Sequence, residues 1–413
     1  MNALRVAWRN IWRSSARTGI AGAAIAVNTA VLIVTIGLTQ GMYETTVSNL
    51  TSMALGEAQV HAPAYREQQS IHDSILDPEA ILAAADRAGL DAAARAFGAG
   101  LTSVGKKSSG ALFWGVDPVR ERKGFGLPQQ IHQGAFLSDT PPAPSAASER
   151  VHEVVLGRKL ANALEAEVGS ELVAVVQAAD GSIGNDLFRV TGILKTVSSD
   201  IDRSAALLHD RDFQELFVGG GRVHEIALTS HGGRSSQAVA DAVRGAAGSS
   251  EVLTWQQLAP GPAQMLELFA AIMVIFGLIF GLAAGSSVMN SMLMSTFDRL
   301  REFGVIKALG ATPWRIIRDV ASEALVMGLL FSGLGAALGV LANYYLAIRG
   351  IDLGGEGDLL FSGVAFDPIW RSTLSVEGVV GSVVLMCVVS VLAALYPAAK
   401  AARLDPVVAM TEP

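Results

Sequence analysis

The residues that could do chemistry in this chain are few and scattered. Gly100-Leu101-Thr102-Ser103-Val104-Gly105-Lys106-Lys107 has the glycine and lysine spacing of a phosphate-binding loop. Such a loop cradles phosphate with backbone N–H groups and needs a final Ser or Thr to ligate Mg²⁺. Lys107 occupies that last position, so the segment reads as a solvated hairpin tip and the chain is not expected to be an ATPase. The histidines, at 61, 72, 132, 152, 209, 224 and 231, form no H-x-x-x-H or H-E-x-x-H array. They read as solvated polar residues and not as metal ligands. No G-x-S-x-G nucleophile elbow is present, and the one cysteine, Cys387, lies in an apolar run where packing is its expected role. With one cysteine there is no disulfide framework. A non-catalytic chain without a metal site is the expectation.

The composition says where such a chain works. Of 413 residues, 51% are hydrophobic and only 17% charged, against about 25% charged in soluble domains. The apolar excess excludes an ordinary soluble enzyme and a disordered chain. A net charge of −7 argues against a nucleic-acid partner. The excess is concentrated in four runs free of Asp, Glu, Lys and Arg: between Arg17 and Glu44, Glu267 and Asp298, Glu323 and Arg349, and Glu377 and Lys400. About 20 helical residues cross the ~30 Å hydrocarbon layer, so all four qualify. The first run is longer than a signal-peptide core and reads as a retained anchor.

The positive residues orient the spans. Arg5, Arg9, Arg13 and Arg17 precede the first; Arg299, Arg301, Lys307, Arg315 and Arg318 lie between the second and third; Lys400 and Arg403 follow the fourth. The loop between spans three and four carries Arg349 and Arg371 against Asp352, Glu356, Asp358 and Asp367. Both termini and the 297–319 loop are therefore expected in the cytoplasm. The expected organisation is an amphipathic helix over 1–18, spans over 19–41, 266–296, 320–346 and 377–398, an outside domain over 42–265, a short outer loop over 347–376 and a tail over 399–413. No buried Asp, Glu, Lys or Arg is expected within a span, which weakens an ion or proton pathway. In span two, Gly277, Gly281 and Gly285 recur every fourth residue, as do Gly335 and Gly339 in span three, a spacing that lets helix backbones approach.

The 42–265 insert reads as an α+β domain of two lobes. Strands are expected over 151–156, 171–177, 187–194 and 223–229, and a hairpin over 96–116 with its tip at Lys106–Gly110. Helices are expected over 159–168, 211–217, 235–246 and from Asp77-Pro78-Glu79 to Gly89. Asp180-Gly181 and Gly184-Asn185-Asp186 supply turn residues, and the Pro-, Ala- and Ser-rich 140–148 stretch reads as the linker between lobes. At the N terminus, Leu4, Ala7, Trp8, Ile11 and Trp12 share one helical face and Arg5, Arg9 and Arg13 another, which suits the cytoplasmic headgroup layer.

Three segments carry a family resemblance. Arg301-Glu302-Phe303-Gly304-Val305-Ile306-Lys307-Ala308-Leu309-Gly310-Ala311 resembles the cytoplasmic coupling segment of FtsX-like and MacB-like ABC permeases, and Glu323 matches an acidic residue usual there. Tyr396-Pro397-Ala398, Ala401-Ala402-Arg403 and Pro406-Val407 resemble the family's ending, and Ala7-Trp8-Arg9-Asn10 its opening. Within the insert, 154–169 resembles the MacB-type periplasmic core, while Gln59–Tyr65 and Gly115–Pro118 look most like the lipoprotein-releasing LolC/LolE branch.

The resemblance implies four transmembrane helices with a MacB-like periplasmic core domain between helices one and two, in a bacterial inner membrane. It implies a permease pair, of identical or different chains, working with a cytoplasmic ABC ATPase dimer that holds ATP and Mg. Arg299, Arg301, Glu302, Lys307, Gly310, Pro313, Trp314 and Arg315 would couple to that ATPase. The branch implies an acylated lipoprotein or other amphipathic cargo lifted from the outer leaflet and passed to a periplasmic carrier. Met42, Val47, Phe269, Ile272, Met273 and Phe276 would line an apolar recess for it. The alternatives are a MacB-like efflux permease with a periplasmic adaptor and an FtsX-like signalling protein that regulates a cell-wall hydrolase.

The orientation has a direct check. In a chain whose Cys387 is replaced by Ala, Ser182→Cys is expected to react with a membrane-impermeant maleimide from outside, and Thr312→Cys only after permeabilisation. Equal protection of the two positions would overturn the topology.

Overall fold

The structure, a computed structural model, describes residues 15–63, 65–140, 152–231, 233–352, 359–361, 364–366 and 369–403. The amphipathic face expected over 4–13, most of the 140–148 stretch and the tail beyond 403 lie outside the described residues. The chain divides into two compact units, one of Met1–Glu44, Met265–Leu353 and Ile369–Pro413, the other of Thr45–Gln264 and Gly354–Pro368.

The first unit contains α1 (Ser15–Leu50) as far as Glu44, α2 (Pro260–Asp298) from Met265, α3 (Leu300–Ala308), α4 (Pro313–Arg349) and α5 (Val376–Arg403). All but α3 are long and apolar enough to cross a bilayer. Small residues set how they pack. A Cβ added at Gly335 would lie 2.3 Å from the Ala26 carbonyl oxygen, and one at Gly339 would lie 3.0 Å from Ile33 Cβ, so α4 rests directly on α1. Gly328 brings α4 close to Ser390 of α5, where an added Cβ would lie 3.2 Å from Ser390 Cβ. In α2, a Cβ added at Gly281 or Gly285 would lie 3.4 or 3.0 Å from the Val389 side chain of α5. Helix α2 packs through its second half, where Ala284, Val288 and Met292 are buried, while Leu268, Val274, Ile275 and Leu278 in its first half are exposed.

Polar groups tie α1 to the segments that flank it. Buried Asn343 of α4 donates Nδ2–H to the Ile33 carbonyl at 3.0 Å and accepts from Ser372 Oγ at 2.6 Å. Trp370 Nε1 donates to the Leu38 carbonyl at 2.9 Å, and the Thr373 amide donates to the Gly37 carbonyl at 2.9 Å. In apolar surroundings such bonds are strong and costly to leave unmade. They hold α1 to α4 and to the segment just before α5, while the first half of α2 is joined to α1 by the bond from Thr39 Oγ1 to the Met273 sulfur at 3.3 Å.

The second unit is built on β1 (Ala58–His61), β2 (Asp91–Val104), β3 (Lys107–Val116), β4 (Ile131–Gly134), β5 (His152–Leu156), β6 (Glu171–Gln177), β7 (Ile183–Leu194), β8 (Ala205–His209), β9 (Glu225–Thr229) and β10 (Glu251–Thr254). The strand order is β10-β1-β9-β2-β3-β8-β5-β7-β4, with β6 pairing both β2 and β7. Strands β2, β3, β8, β5, β7 and β6 therefore close a hydrogen-bonded circuit, which leaves those strands no bare edge. Inside it sit Phe113, Leu156, Leu172, Phe188, Leu208 and Phe213. Strict alternation in β6 produces this: Leu172, Ala174 and Val176 point inward, while Glu171, Val173, Val175 and Gln177 point out.

A second core gathers Val60, Ile81, Leu90, Ile226, Leu228 and Val239 under the helices Pro78–Arg87 and Ser236–Arg244. Residues from both sides of the 140–148 stretch share each core. Asp77 caps the first of these helices by accepting from the Ala80 amide at 3.0 Å, with Pro78 in the opening turn.

Some expected boundaries move. Strand β3 begins at Lys107, so the hairpin tip is the tighter Gly105–Lys106 pair, with Gly105 at a φ of 56°. Gly184, Asn185 and Asp186 belong to β7 and not to a turn, because their register against Val176, Val175 and Ala174 of β6 continues the ladder. The turn is made earlier, where Asp180 accepts from the Ser182 amide and hydroxyl.

Candidate functional site

Helices α3 and α4 present the segment expected to couple to a partner. Helix α3 ends at Ala308, and Gly310 follows with a φ of 93° that suits a residue without Cβ. The Ala311 amide bonds to the Ile306 carbonyl and the Gly310 amide to the Lys307 carbonyl, which closes the turn. Pro313 then opens α4 in its first turn.

The orientation of α3 is fixed by Arg299. Its Nη1 donates to Glu323 Oε2 at 3.0 Å and its Nε to Glu302 Oε2 at 3.2 Å, while its guanidinium lies 5.1 Å from the Phe303 ring centroid. Glu323 of α4 is 7% exposed and Arg299 17% exposed, so this pair is largely removed from solvent. Phe303 and Gly304 are buried beneath it. Lys307 donates to the Ala402 carbonyl of α5 at 2.9 Å, and Lys400 Nζ sits 4.9 Å from the Phe297 ring centroid.

The eight residues expected to couple thus separate into two groups. Arg299 and Lys307 face inward and hold the segment, and Gly310 and Pro313 shape its turn. Arg301, Glu302, Trp314 and Arg315 are exposed. Trp314 is 69% exposed, and beside it sequence reasoning missed the rest of the apolar surface: Leu309 is 83% exposed, with Val305 and Ile306 also exposed. A contiguous exposed apolar patch of this kind marks a surface that another molecule or the membrane covers. The signal was present in the alternation of Val305, Ile306 and Leu309 with charge, but which face points outward depends on Arg299.

The residues expected to line a cargo recess are less gathered. Met273 borders an apolar crevice of about 370 Å³ together with Leu32, Ile36, Gly277, Gly378 and Leu385. Its sulfur accepts from Thr39 Oγ1 at 3.3 Å. Met42, Phe269 and Ile272 are half-buried elsewhere in the membrane unit, and Phe276 stacks on Phe280. Val47 belongs to the other unit. The glycines that open the crevice carry no side chain and were not read as a lining.

Two family models match this chain. The MacB-like periplasmic core domain covers residues 18–246 and the FtsX-like permease C-terminal domain covers residues 274–406. The chain belongs to the FtsX/MacB-like permease family. This permease is a multi-pass membrane protein with a large extracytoplasmic α+β domain. It is 28% identical to the ABC transporter permease YknZ of Bacillus subtilis, covering 58% of this chain and 53% of YknZ. It is 25% identical to the pyoverdine export ATP-binding/permease protein PvdT of Pseudomonas fluorescens over the whole chain and 59% of PvdT. It is 24% identical to the lipoprotein-releasing system transmembrane protein LolC of Xylella fastidiosa, covering 94% of this chain and 91% of LolC. The permease thus spans little more than half the length of YknZ and PvdT. No single branch stands out, so the LolC/LolE assignment expected from Gln59–Tyr65 and Gly115–Pro118 gives way to membership of the wider family.

The permease's histidines depart from expectation. His61, His209 and His224 are 4%, 2% and 0% exposed and are not solvated. The rings of His61, Tyr65 and His224 stack in a row, with centroids 5.9 and 5.3 Å apart. Strand pairing buries them: His61 lies opposite Glu225 in the β1–β9 ladder. His224 Nδ1 accepts from the Phe97 amide at 2.9 Å and its Nε2 donates to the Ile71 carbonyl at 3.0 Å, which holds the ring neutral. Burial pushes both His61 and His224 below the usual imidazole range. The unfolded chain therefore takes up these protons first as pH falls. The stability they permit is complete above the unfolded value of 6.5 and is lost as pH drops through the lowered folded values. Thermal unfolding at pH 7.5 and 5.5 is expected to show a lower Tm at the acid pH, and His224→Gln is expected to reduce that acid loss. An acid loss unchanged in His224→Gln would contradict the assignment.

Proposed function

We propose that this permease carries motion from an ABC ATPase dimer across the membrane through the turn between α3 and α4. The observation that carries the reading is an exposed apolar tip, Leu309 and Trp314, on a turn fixed by the Arg299–Glu323 pair. Aromatic and large aliphatic anchors ringed by charge are what a docking groove takes up, and Arg301, Glu302 and Arg315 supply that charge. ATP and Mg act in the partner ATPase. The exposed first half of α2 suits a second permease chain, and the bonds that tie α1 to α4 and to the segment before α5 make a unit that can move as one.

The relatives support export driven by this motion, as in a MacB-like efflux permease that works with a periplasmic adaptor. Release of an acylated lipoprotein is a second reading. It is favoured by the match to LolC over most of both chains and by the apolar crevice beside Met273.

Leu309→Glu and Trp314→Ala are tests of the coupling turn. Loss of an interfacial anchor typically costs at least 2 kcal/mol, about thirtyfold in affinity. Both variants are expected to insert normally and to lose copurification with the ATPase in mild detergent. Asp180→Lys, in the β6–β7 turn of the extracytoplasmic domain, is expected to leave it intact. Full ATPase association and transport in both tip variants would reduce the segment to a topology anchor.

A further inference from the structure

Strand β6 is built as if it were buried on both faces. Leu172, Ala174 and Val176 fill the core of the closed circuit, yet the alternate positions Val173 and Val175, which point out, are aliphatic too and each 39% exposed. A strand with one wet face alternates apolar with polar residues, and aliphatic residues on both faces belong to a strand covered on both. The neighbouring strands continue the pattern. In the β2–β6 register Leu101 stands opposite Val175; in the β6–β7 register Leu187 stands opposite Val173 and Ile183 opposite Gln177. Leu101, Leu187 and Ile183 are 60%, 47% and 79% exposed.

The face these residues make carries no charge. Its remaining positions are Ser103 on β2 and Asn185 on β7, and β3 adds Gly110 opposite Leu101 and Ser108 opposite Ser103. Charge first enters at one end, where Glu171 and Arg189 stand directly opposite each other, one of each sign. The rest of the domain is acidic. Residues 45–264 hold 25 Asp and Glu against 18 Lys and Arg, which accounts for the whole net charge of −7.

Shape, charge and size together say what covers this face. A flat sheet face packs on another sheet about 10 Å away, with the inner side chains interdigitating, whereas a helix needs a groove. Two acidic domains repel over most of their surface, and this neutral face with its balanced end is where two copies can meet without opposing like charges. At ~4.8 Å between strands and ~3.4 Å per residue, the face with its side chains spans roughly 20 Å each way, about 400 Å². Two copies would bury about 800 Å² there, less than the ~1,200 Å² of a stable free-standing complex. Such a contact holds between partners already confined, as two chains anchored in one bilayer are.

We propose that the β3–β2–β6–β7 face joins two copies of this chain through their extracytoplasmic domains. This rests on the pairing of permease chains read above. It adds that the second chain is a copy of the first, and that the two meet outside the membrane as well as along α2.

Cysteine cross-linking of the full chain in membranes tests this, in a Cys387→Ala background and with two copies carrying different affinity tags. Val175→Cys, at the centre of the face, is expected to give a linked dimer with a short bis-maleimide. Ile275→Cys, exposed in the first half of α2, reports the pairing itself. Gln237→Cys, exposed on the Ser236–Arg244 helix over the second core, is expected to stay monomeric. Adding Leu187→Lys sets two ammonium groups into the joined faces and is expected to lower the Val175→Cys yield about tenfold while leaving the Ile275→Cys yield unchanged. Linkage at Ile275 without linkage at Val175 would overturn this inference and leave the pairing standing. Copies that fail to copurify and link at neither position would overturn the pairing as well. Equal yields at Val175 and Gln237, or a yield unmoved by Leu187→Lys, would also overturn the inference.

Discussion

One arginine decides what the membrane unit offers to the cytoplasm. Arg299 ends the approach from α2, bonds Glu302 within its own segment and reaches Glu323 on α4. A charge pair this far from water is costly unless its geometry is good and its lone pairs are met. Here the guanidinium has both carboxylates and the Phe303 ring, so the cost is offset and α3 is held in one orientation. With that orientation given, Phe303 and Gly304 face inward and Leu309 and Trp314 face outward. Without it, the same apolar residues could turn onto the bundle, and no docking tip would remain.

The rest of the membrane unit supplies a stiff support for that tip. Glycines at 328, 335 and 339 let α4 lie against α5 and α1 at backbone distance. Asn343, Trp370 and Thr373 add bonds to α1 carbonyls, which have few competing donors in an apolar setting. Lys307 anchors the far end of α3 to the Ala402 carbonyl. The first half of α2 is joined to α1 through the Thr39–Met273 sulfur bond, and Leu268, Val274, Ile275 and Leu278 there are exposed. A push at the α3–α4 turn would therefore move α1, α4 and α5 together. In the α+β unit the closed circuit leaves β2, β3, β8, β5, β7 and β6 no bare edge.

Much of this was legible in the chain, for physical reasons that differ from element to element. The four spans were readable because uncharged runs of that length have few alternatives to a membrane. Strand β6 was readable because its alternation is local, and the Pro78–Arg87 helix because Asp77 and Pro78 mark its start. Strand β8 was not, because Ala205–His209 has no alternation and is buried on every residue by partners on β3 and β5. The burial of His61 and His224 was likewise hidden, since it arises from pairing between β1 and β9, more than 160 residues apart. At the coupling turn the glycine and the proline were readable. The inward turn of Arg299 and Lys307 was not, because their partners Glu323 and Ala402 lie on other helices.

The central claim is that the Arg299–Glu323 pair holds the coupling face in place, and a double-mutant cycle on ATPase affinity tests it most directly. Arg299→Ala, Glu323→Ala and the double variant would be reconstituted in nanodiscs and titrated with the ATPase. If the two residues act as one device, each single change weakens binding by a similar factor and the double change is little worse than either. The coupling energy should then fall in the range of about 0.5–3 kcal/mol found for residues in contact. Single variants with unchanged affinity, or losses that simply multiply in the double variant, would contradict the account.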